Sequence, residues 1–209
     1  MHHATPSLKL HRFALSGHCH RVELFLSLLK LPVELIDVDL TGKAHKTPAL
    51  LALNPFGQVP VLEDGELTLA DSNAILVYLA NKYGDNGDKC WLPRDPTGQA
   101  AVQRWLSVAA GPLAFGPAAA RVAHLFKEPL DVADASKRAE MLFAVMEQIL
   151  GKSVFLTGNT PTIADIANYS YTAHAPEGNI SLDPYPAINA WLARIEQLPG
   201  FIPMAKTVA

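Results

Sequence analysis

The stretch Asn54-Pro55-Phe56-Gly57-Gln58-Val59-Pro60-Val61-Leu62 decides how this chain is read. Val59 to Leu62 has the apolar, β-branched character of a strand, yet Pro60 sits just inside it. Proline has no amide to give to a ladder and is confined to strand edges, first positions and bulges. If the Val59–Pro60 bond is cis, the chain turns so that the amide and carbonyl of Val59 face outward. An extended peptide ligand can then pair with them as an added strand. An ordinary turn around a trans proline is the alternative.

Downstream, Glu63-Asp64-Gly65-Glu66 reads as a hairpin turn and Leu67-Thr68-Leu69 as the returning strand. Asp71-Ser72 then starts a helix carrying Ile75, Leu76, Tyr78 and Leu79. Upstream, Leu8 to Phe13 reads as a short strand broken by Ser16-Gly17. Val22, Leu24, Phe25, Leu28 and Leu29 follow at helical spacing until Pro32. Val33 to Leu40 alternates as a strand, Thr41-Gly42 turns the chain, and Leu50, Leu51 and Leu53 suggest a short helix or irregular turn. The order β-α-β-α-β-β-α, with one parallel crossover and then an antiparallel hairpin, describes a thioredoxin-like α/β sheet flanked by helices.

Beyond a turn-rich segment from Lys82 to Pro93, only helical signals remain. Asp95-Pro96 offers a capping carboxylate before a first-turn proline, and Val102, Trp105, Leu106 and Ala109 follow. Gly111-Pro112 and Gly116-Pro117 predict a kink or break. From Asp134 or Ala135 to Leu150 the pattern predicts a helix with Met141, Leu142, Val145 and Ile149 on one face. Thr162-Ile163-Ala164-Asp165 is a capping box, and Ile188, Trp191, Leu192 and Ile195 mark a last helix before Pro199-Gly200. The expected organisation is a thioredoxin-like domain over residues 1–83, a linker over 84–94, and an all-α domain of five or six helices over 95–209.

The chain has 209 residues, of which 49 % are hydrophobic and 18 % charged, with a formal net charge of −3. Without a Lys/Arg-rich run, neither a nucleic acid nor an anionic membrane is an expected partner. No uninterrupted apolar run reaches the ~20 residues that span a bilayer. Cys19 and Cys90 are too few and too far apart for a disulfide framework and read as free thiols in a reducing compartment. The start, Met1-His2-His3-Ala4-Thr5-Pro6, lacks the apolar stretch of a secretion signal. The expectation is a soluble, cytoplasmic protein with no metal.

Asp71-Ser72 carries a second piece of chemistry. The amides of a helix start, with the Ser72 hydroxyl, make a site for a carboxylate, while Asp71 can accept from an ammonium. Amine and carboxylate side by side are the mark of an α-amino acid end; a plain helix cap is the alternative.

The combination resembles the glutathione transferases. The resemblance rests on Ser16-Gly17-His18-Cys19-His20-Arg21-Val22, Asn54 to Leu62, Ala70-Asp71-Ser72-Asn73-Ala74-Ile75 and Thr162 to Asp165, and covers nearly the whole chain. It implies a thioredoxin-like first domain and a helical second one. It also implies that Val59, next to cis-Pro60, pairs with the cysteinyl part of glutathione. Asp71 and Ser72 would hold the γ-glutamyl ammonium and carboxylate with help from Gln58, and His45 and Lys46 the glycine carboxylate. Ser16 takes the place of the activating hydroxyl in serine-type, theta- or phi-like members. A free thiol with pKa near 8.5 is only ~3 % thiolate at neutral pH. Lowering it by ~2 units takes about 2.7 kcal/mol, the size of one charge-assisted hydrogen bond plus a helix terminus.

Ser16-Gly17-His18-Cys19 has the spacing of a dithiol motif, but serine at the nucleophilic position excludes dithiol exchange, and Cys19 reads as a buried structural residue. The second-substrate pocket is expected between the domains, with Phe13, Leu15, His18 and Phe115 as lining and Arg121 or Tyr169 as further candidates. The implied activity is conjugation of glutathione to a hydrophobic electrophile by a homodimer. The alternatives are peroxide reduction or isomerisation, or ligand binding without turnover.

Overall fold

The computed structural model describes residues 8–84 and 90–207. The quoted N-terminal start and residues 85–89 of the expected linker lie outside the described residues.

Strand β1 (Leu8–Arg12) is central, between parallel β2 (Val33–Asp37) and antiparallel β3 (Val61–Asp64), and β4 (Leu67–Ala70) closes the order β2-β1-β3-β4. Leu8 and Leu10 of β1 and Leu62 of β3 alternate into the core beneath helices α1 (Gly17–Leu28) and α3 (Ser72–Tyr83). Helix α2 (Pro48–Leu53) is capped by Thr47 and leads into the Asn54 loop. This is the thioredoxin-like arrangement. Two expected lengths shrink. Strand β2 stops at Asp37 because its partner β1 ends at Arg12; beyond it only the Val38 amide reaches back, to the Arg12 carbonyl at 2.7 Å. Helix α1 ends well before Pro32, where Lys30 adopts a left-handed conformation at φ 56°.

The second half is helical: α4 (Pro96–Ala110), α5 (Ala119–Phe126), α6 (Val132–Leu150), α7 (Ile163–Ala173) and α8 (Pro186–Glu196). The glycine–proline pairs act as expected. Gly111 ends α4, and a π-turn over Ala114–Ala118 holds Pro117 before α5 begins. Taken as one helical run, Pro96–Phe126 is long and apolar enough to cross a bilayer by length and composition alone, but half of its most apolar window is buried inside the fold. Helix α6 begins earlier than expected, capped by Asp131. Its buried stripe is Ala135, Ala139, Leu142, Phe143, Met146 and Leu150, so Met141 (64 % exposed) and Val145 (52 %) face outward, against expectation.

Helix α7 joins the two halves by packing on both α1 and α4. Its capping box is formed, and Asp165 also accepts from the Leu156 amide and Trp191 Nε1, both at 2.9 Å. A fully buried carboxylate therefore locks the start of α7 to the preceding loop and to α8.

Candidate active site

Ser16 caps α1 with an extended backbone, and its Oγ accepts from the Cys19 amide at 3.4 Å. The hydroxyl proton is left to be donated elsewhere, beside the positive end of the helix dipole. Cys19, one turn on, is buried. Burial pushes its thiol up to about 11, and its sulfur accepts from the Phe13 amide at 3.3 Å. Such a thiol is unreactive, as expected of a structural cysteine.

The Val59–Pro60 bond is cis. The β3–β4 ladder ends at the Val61–Ala70 pair, so the amide and carbonyl of Val59 lie beyond the pairing of the sheet. The loop before it is braced. Asn54 Nδ2 donates to the Gln58 carbonyl at 2.8 Å, and Asn54 Oδ1 accepts from the Phe56 amide at 3.1 Å. Gly57 sits at φ 59°, where a Cβ would stand 2.9 Å from the His45 carbonyl oxygen. Lys46 Nζ donates to the carbonyls of Phe56 and Gly57 at 3.3 and 3.1 Å.

Asp71 caps α3, its Oδ1 accepting from the Ala74 amide at 2.9 Å. Its backbone, at φ 71° and ψ 121°, lies outside the regions that residues with a Cβ favour, and such strain persists mainly where function over-determines it. Beneath this corner lies Arg21, which sequence reading had not set apart as a site residue. Its Nη1 donates to Ser72 Oγ at 3.3 Å and to Asn73 Oδ1 at 2.9 Å, while Nε and Nη2 have no partner among the described residues. Burial lowers its pKa to about 10, so it stays charged at neutral pH. A buried guanidinium below a helix N-terminus reinforces a site for a carboxylate. The available signal was an arginine next to the apolar positions Val22, Leu24 and Phe25 of α1.

These residues surround one cleft of about 420 Å³. Ser16, His18, His45, Lys46, Gln58, Val59, Pro60, Asp71 and Ser72 all line it. His18, expected either against the thiolate or on the second-substrate side, lines this cleft, its Nδ1 3.5 Å from Ser72 Oγ. Burial, and secondarily Arg21, lowers its pKa to about 3, so the imidazole is neutral at working pH. His45 Nδ1 is buried without a partner among the described residues.

A second cavity of about 830 Å³ adjoins the first through Ser16, Leu40, His45 and Lys46, which line both. Its apolar walls include the expected Phe13 and Leu15, with Val122, Phe126 and Tyr171 from the helical half. Phe115 is not on it. At 64 % exposure it points to solvent, because the π-turn shifts the helical phase and hands the wall to α5 one turn later. Arg121 does line the cavity, with Nε held by Glu177 at 2.6 Å and Nη1 by the Leu15 carbonyl at 2.7 Å. Tyr169 does not; its hydroxyl donates to Glu196 at 2.9 Å, and Tyr171 on the other side of α7 takes the place. Nothing in the local pattern distinguishes the two tyrosines, since only the packing angle of α7 decides which one faces Ser16.

Residues 6–81 match the family model described as glutathione S-transferase, N-terminal domain, and residues 111–199 match glutathione S-transferase, C-terminal domain. Among curated proteins, "Glutathione S-transferase 3" of Zea mays is 37 % identical over 97 % of this chain and 93 % of its own. "Glutathione S-transferase F13" of Arabidopsis thaliana is 33 % identical over 94 % of each. Among solved structures, a glutathione S-transferase from Pseudomonas fluorescens superposes with a TM-score of 0.88 at 35 % identity, over 95 % of this chain and 99 % of that one. A glutathione transferase homolog from Drosophila mojavensis, solved with bound glutathione, gives 0.80 at 28 % identity over 93 % and 89 %.

Proposed function

Because this chain belongs to the glutathione S-transferase family, we propose that it binds glutathione in the polar cleft and uses the Ser16 hydroxyl to hold the sulfur as a thiolate. It is a glutathione transferase, and the thiolate attacks a hydrophobic electrophile seated in the adjoining cavity. The observation that carries this reading is the position of Ser16: a donor at a helix N-terminus, where a polar cleft and an apolar cavity meet.

Each neighbour has a part. The amide and carbonyl of Val59 pair with the cysteinyl backbone of glutathione. Asp71 takes the γ-glutamyl ammonium. The amides at the start of α3, with Ser72 and the buried Arg21 charge behind them, take the γ-glutamyl carboxylate, and Gln58 assists. His45 takes the glycine carboxylate through its ring. Lys46, whose ammonium braces the 56–57 carbonyls, contributes charge at the same end. We further propose a cytoplasmic homodimer divided into residues 1–83, 84–94 and 95–209. A monomeric mass by light scattering at micromolar concentration would refute the dimer.

The decisive experiment compares wild type with Ser16→Ala. Glutathione affinity by calorimetry is expected to change by only a few-fold. The ultraviolet absorbance of bound thiolate should vanish, and conjugation of an aryl halide should fall by about 10² or more, the usual cost of one preorganised donor. Equal rates for the two proteins would remove Ser16 from the chemistry. Absent affinity for glutathione in wild type would remove the ligand as well.

A further inference from the structure

Ser16 lies outside both regular elements that flank it. Strand β1 ends at Arg12 and α1 begins at Gly17, so the segment 13–16 takes its shape from contacts made elsewhere. The peptide that joins Leu15 to Ser16 is held at both ends. Its N–H, on Ser16, donates to the Phe13 carbonyl at 2.9 Å, and its carbonyl, on Leu15, accepts from Arg121 Nη1 at 2.7 Å. The first bond is local. The second reaches across from α5 in the helical half, and the Phe126 ring on the same helix meets Phe13 at 6.1 Å. Arg121 does not line the polar cleft, and it is itself fixed. Its side chain is 1 % exposed, Nε donates to Glu177 at 2.6 Å, and Nη2 has no partner among the described residues. Glu177 also accepts from His174 and from the amide and hydroxyl of Thr207. A Cβ on Gly178 would stand 2.7 Å from the Arg121 amide nitrogen, so the turn that carries Glu177 lies directly on the backbone of α5.

We propose that Arg121 is a positioning residue for the Ser16 hydroxyl, with Glu177 as the group that orients it. The proposal rests on the glutathione-thiolate reading of Ser16. Two charge-assisted bonds fix the guanidinium between Glu177 and the Leu15 carbonyl. They hold the Leu15–Ser16 peptide plane, and that plane sets where the Ser16 Cβ–Oγ bond points. A hydrogen bond to sulfur weakens steeply once its angle opens, and a displacement of about 1 Å in a positioned group costs on the order of 10²-fold in rate. The serine belongs to the first domain, yet the direction of its donor is set by the second, and by the C-terminal segment that Thr207 ties to Glu177. The relay moves no proton and no electron pair; it acts by geometry. A direct action of charge on the sulfur has the opposite signature. The Glu177 carboxylate partly cancels the field of Arg121, so removing that carboxylate would favour the thiolate if charge alone counted.

The test follows thiolate absorbance against pH for the full chain saturated with glutathione. Arg121→Lys keeps the charge but exchanges a fork of fixed donors for one flexible ammonium. The midpoint at which bound thiolate forms is expected to rise by about one pH unit, a tenfold loss of thiolate below it, with conjugation of benzyl chloride at about pH 6.5 falling in step. Glu177→Gln leaves Arg121 in place and removes the opposing charge. Positioning predicts a rise here too, of smaller size, whereas a through-space charge effect predicts a fall. In a Ser16→Ala background, whose midpoint starts higher, Arg121→Lys should move it no further. An unmoved midpoint in Arg121→Lys, a fall or no movement in Glu177→Gln, or an equal shift with and without the serine hydroxyl would each overturn the proposal. If Arg121→Lys does not fold, the sign in Glu177→Gln decides. Mere loss of stability lowers the folded fraction at every pH and leaves the midpoint in place. Missing thiolate absorbance in wild type would instead overturn the reading of Ser16 beneath the proposal.

Discussion

The residues that set the chemistry are held by short-range sterics as much as by charge. Gly17 follows the capping serine, and its missing Cβ is what lets the Tyr171 ring lie within 2.8 Å of the place a Cβ would take. Gly17→Ala forces the ring or the helix start to move. A loss of about 1–3 kcal/mol is expected by urea denaturation, as for other overpacked sites, together with reduced conjugation. A loss below about 0.5 kcal/mol would show that the contact yields freely. His18 gives a second prediction at this scale. With its pKa lowered to about 3 by burial, the folded protein adds a proton to it only far below working pH. The kcat/KM profile between about pH 5 and 8 is therefore expected to reflect the bound thiol alone. His18→Gln should leave the shape of that profile unchanged, and a bend that disappears with the substitution would contradict this.

Among the elements, α7 packs on both α1 and α4 and brings Tyr171 to the wall of the apolar cavity. Tyr171, its ninth residue, is not free to choose a face, because the helix start is fixed by Asp165. That carboxylate accepts from the Thr162 and Leu156 amides and from Trp191 Nε1, each at 2.9 Å, and from Thr162 Oγ1 at 3.4 Å. Each buried donor left unsatisfied costs about 1–3 kcal/mol. Asp165→Ala is accordingly expected to destabilise by at least about 3 kcal/mol, with Asp165→Asn intermediate because it keeps one acceptor. Denaturant midpoints at constant m measure both. A loss under about 1 kcal/mol for the alanine variant would mean that water replaces the carboxylate.

Across the whole molecule, the two halves are tied by a charged network beside the apolar cavity. Glu177, in the turn after α7, accepts from Arg121 at 2.6 Å, from His174 at 2.9 Å, and from the Thr207 amide and hydroxyl at 3.1 and 3.0 Å. Arg121 in turn donates to the Leu15 carbonyl of the first domain. Burial acts to raise the Glu177 pKa, but the donors win and lower it from 4.5 to about 2. Because the folded state holds the ionised form more tightly than the unfolded chain, the contribution is fully present above pH 4.5. It is lost as pH falls toward 2. Glu177→Gln should therefore lower Tm at neutral pH and flatten its decline over that interval. Parallel Tm curves for the two proteins through it would contradict the assignment. Loss of this network is also expected to loosen the C-terminal segment, which is otherwise tied to α1 through His20 Nε2 and the Ile202 carbonyl at 3.0 Å.

What the amino-acid sequence determined by itself was local and periodic. Strand and helix alternation, the Gly65 hairpin, the capping residues Ser16, Asp71, Asp95 and Thr162, and the proline at 60 all declare themselves within a few residues. Ser16, Gln58, Val59, Pro60, Asp71 and Ser72 were legible for the same reason, since each sits at the end of an element where backbone groups are left unpaired. Only the tertiary structure decided what depends on the angle between elements. It turned Tyr171 rather than Tyr169 toward Ser16, sent Phe115 to solvent, placed His18 in the polar cleft, and slid Arg21 under Ser72. A helix presents every side of itself within 3.6 residues, so the side that meets a site is chosen by packing partners distant in the chain, and that choice leaves no trace in the local pattern.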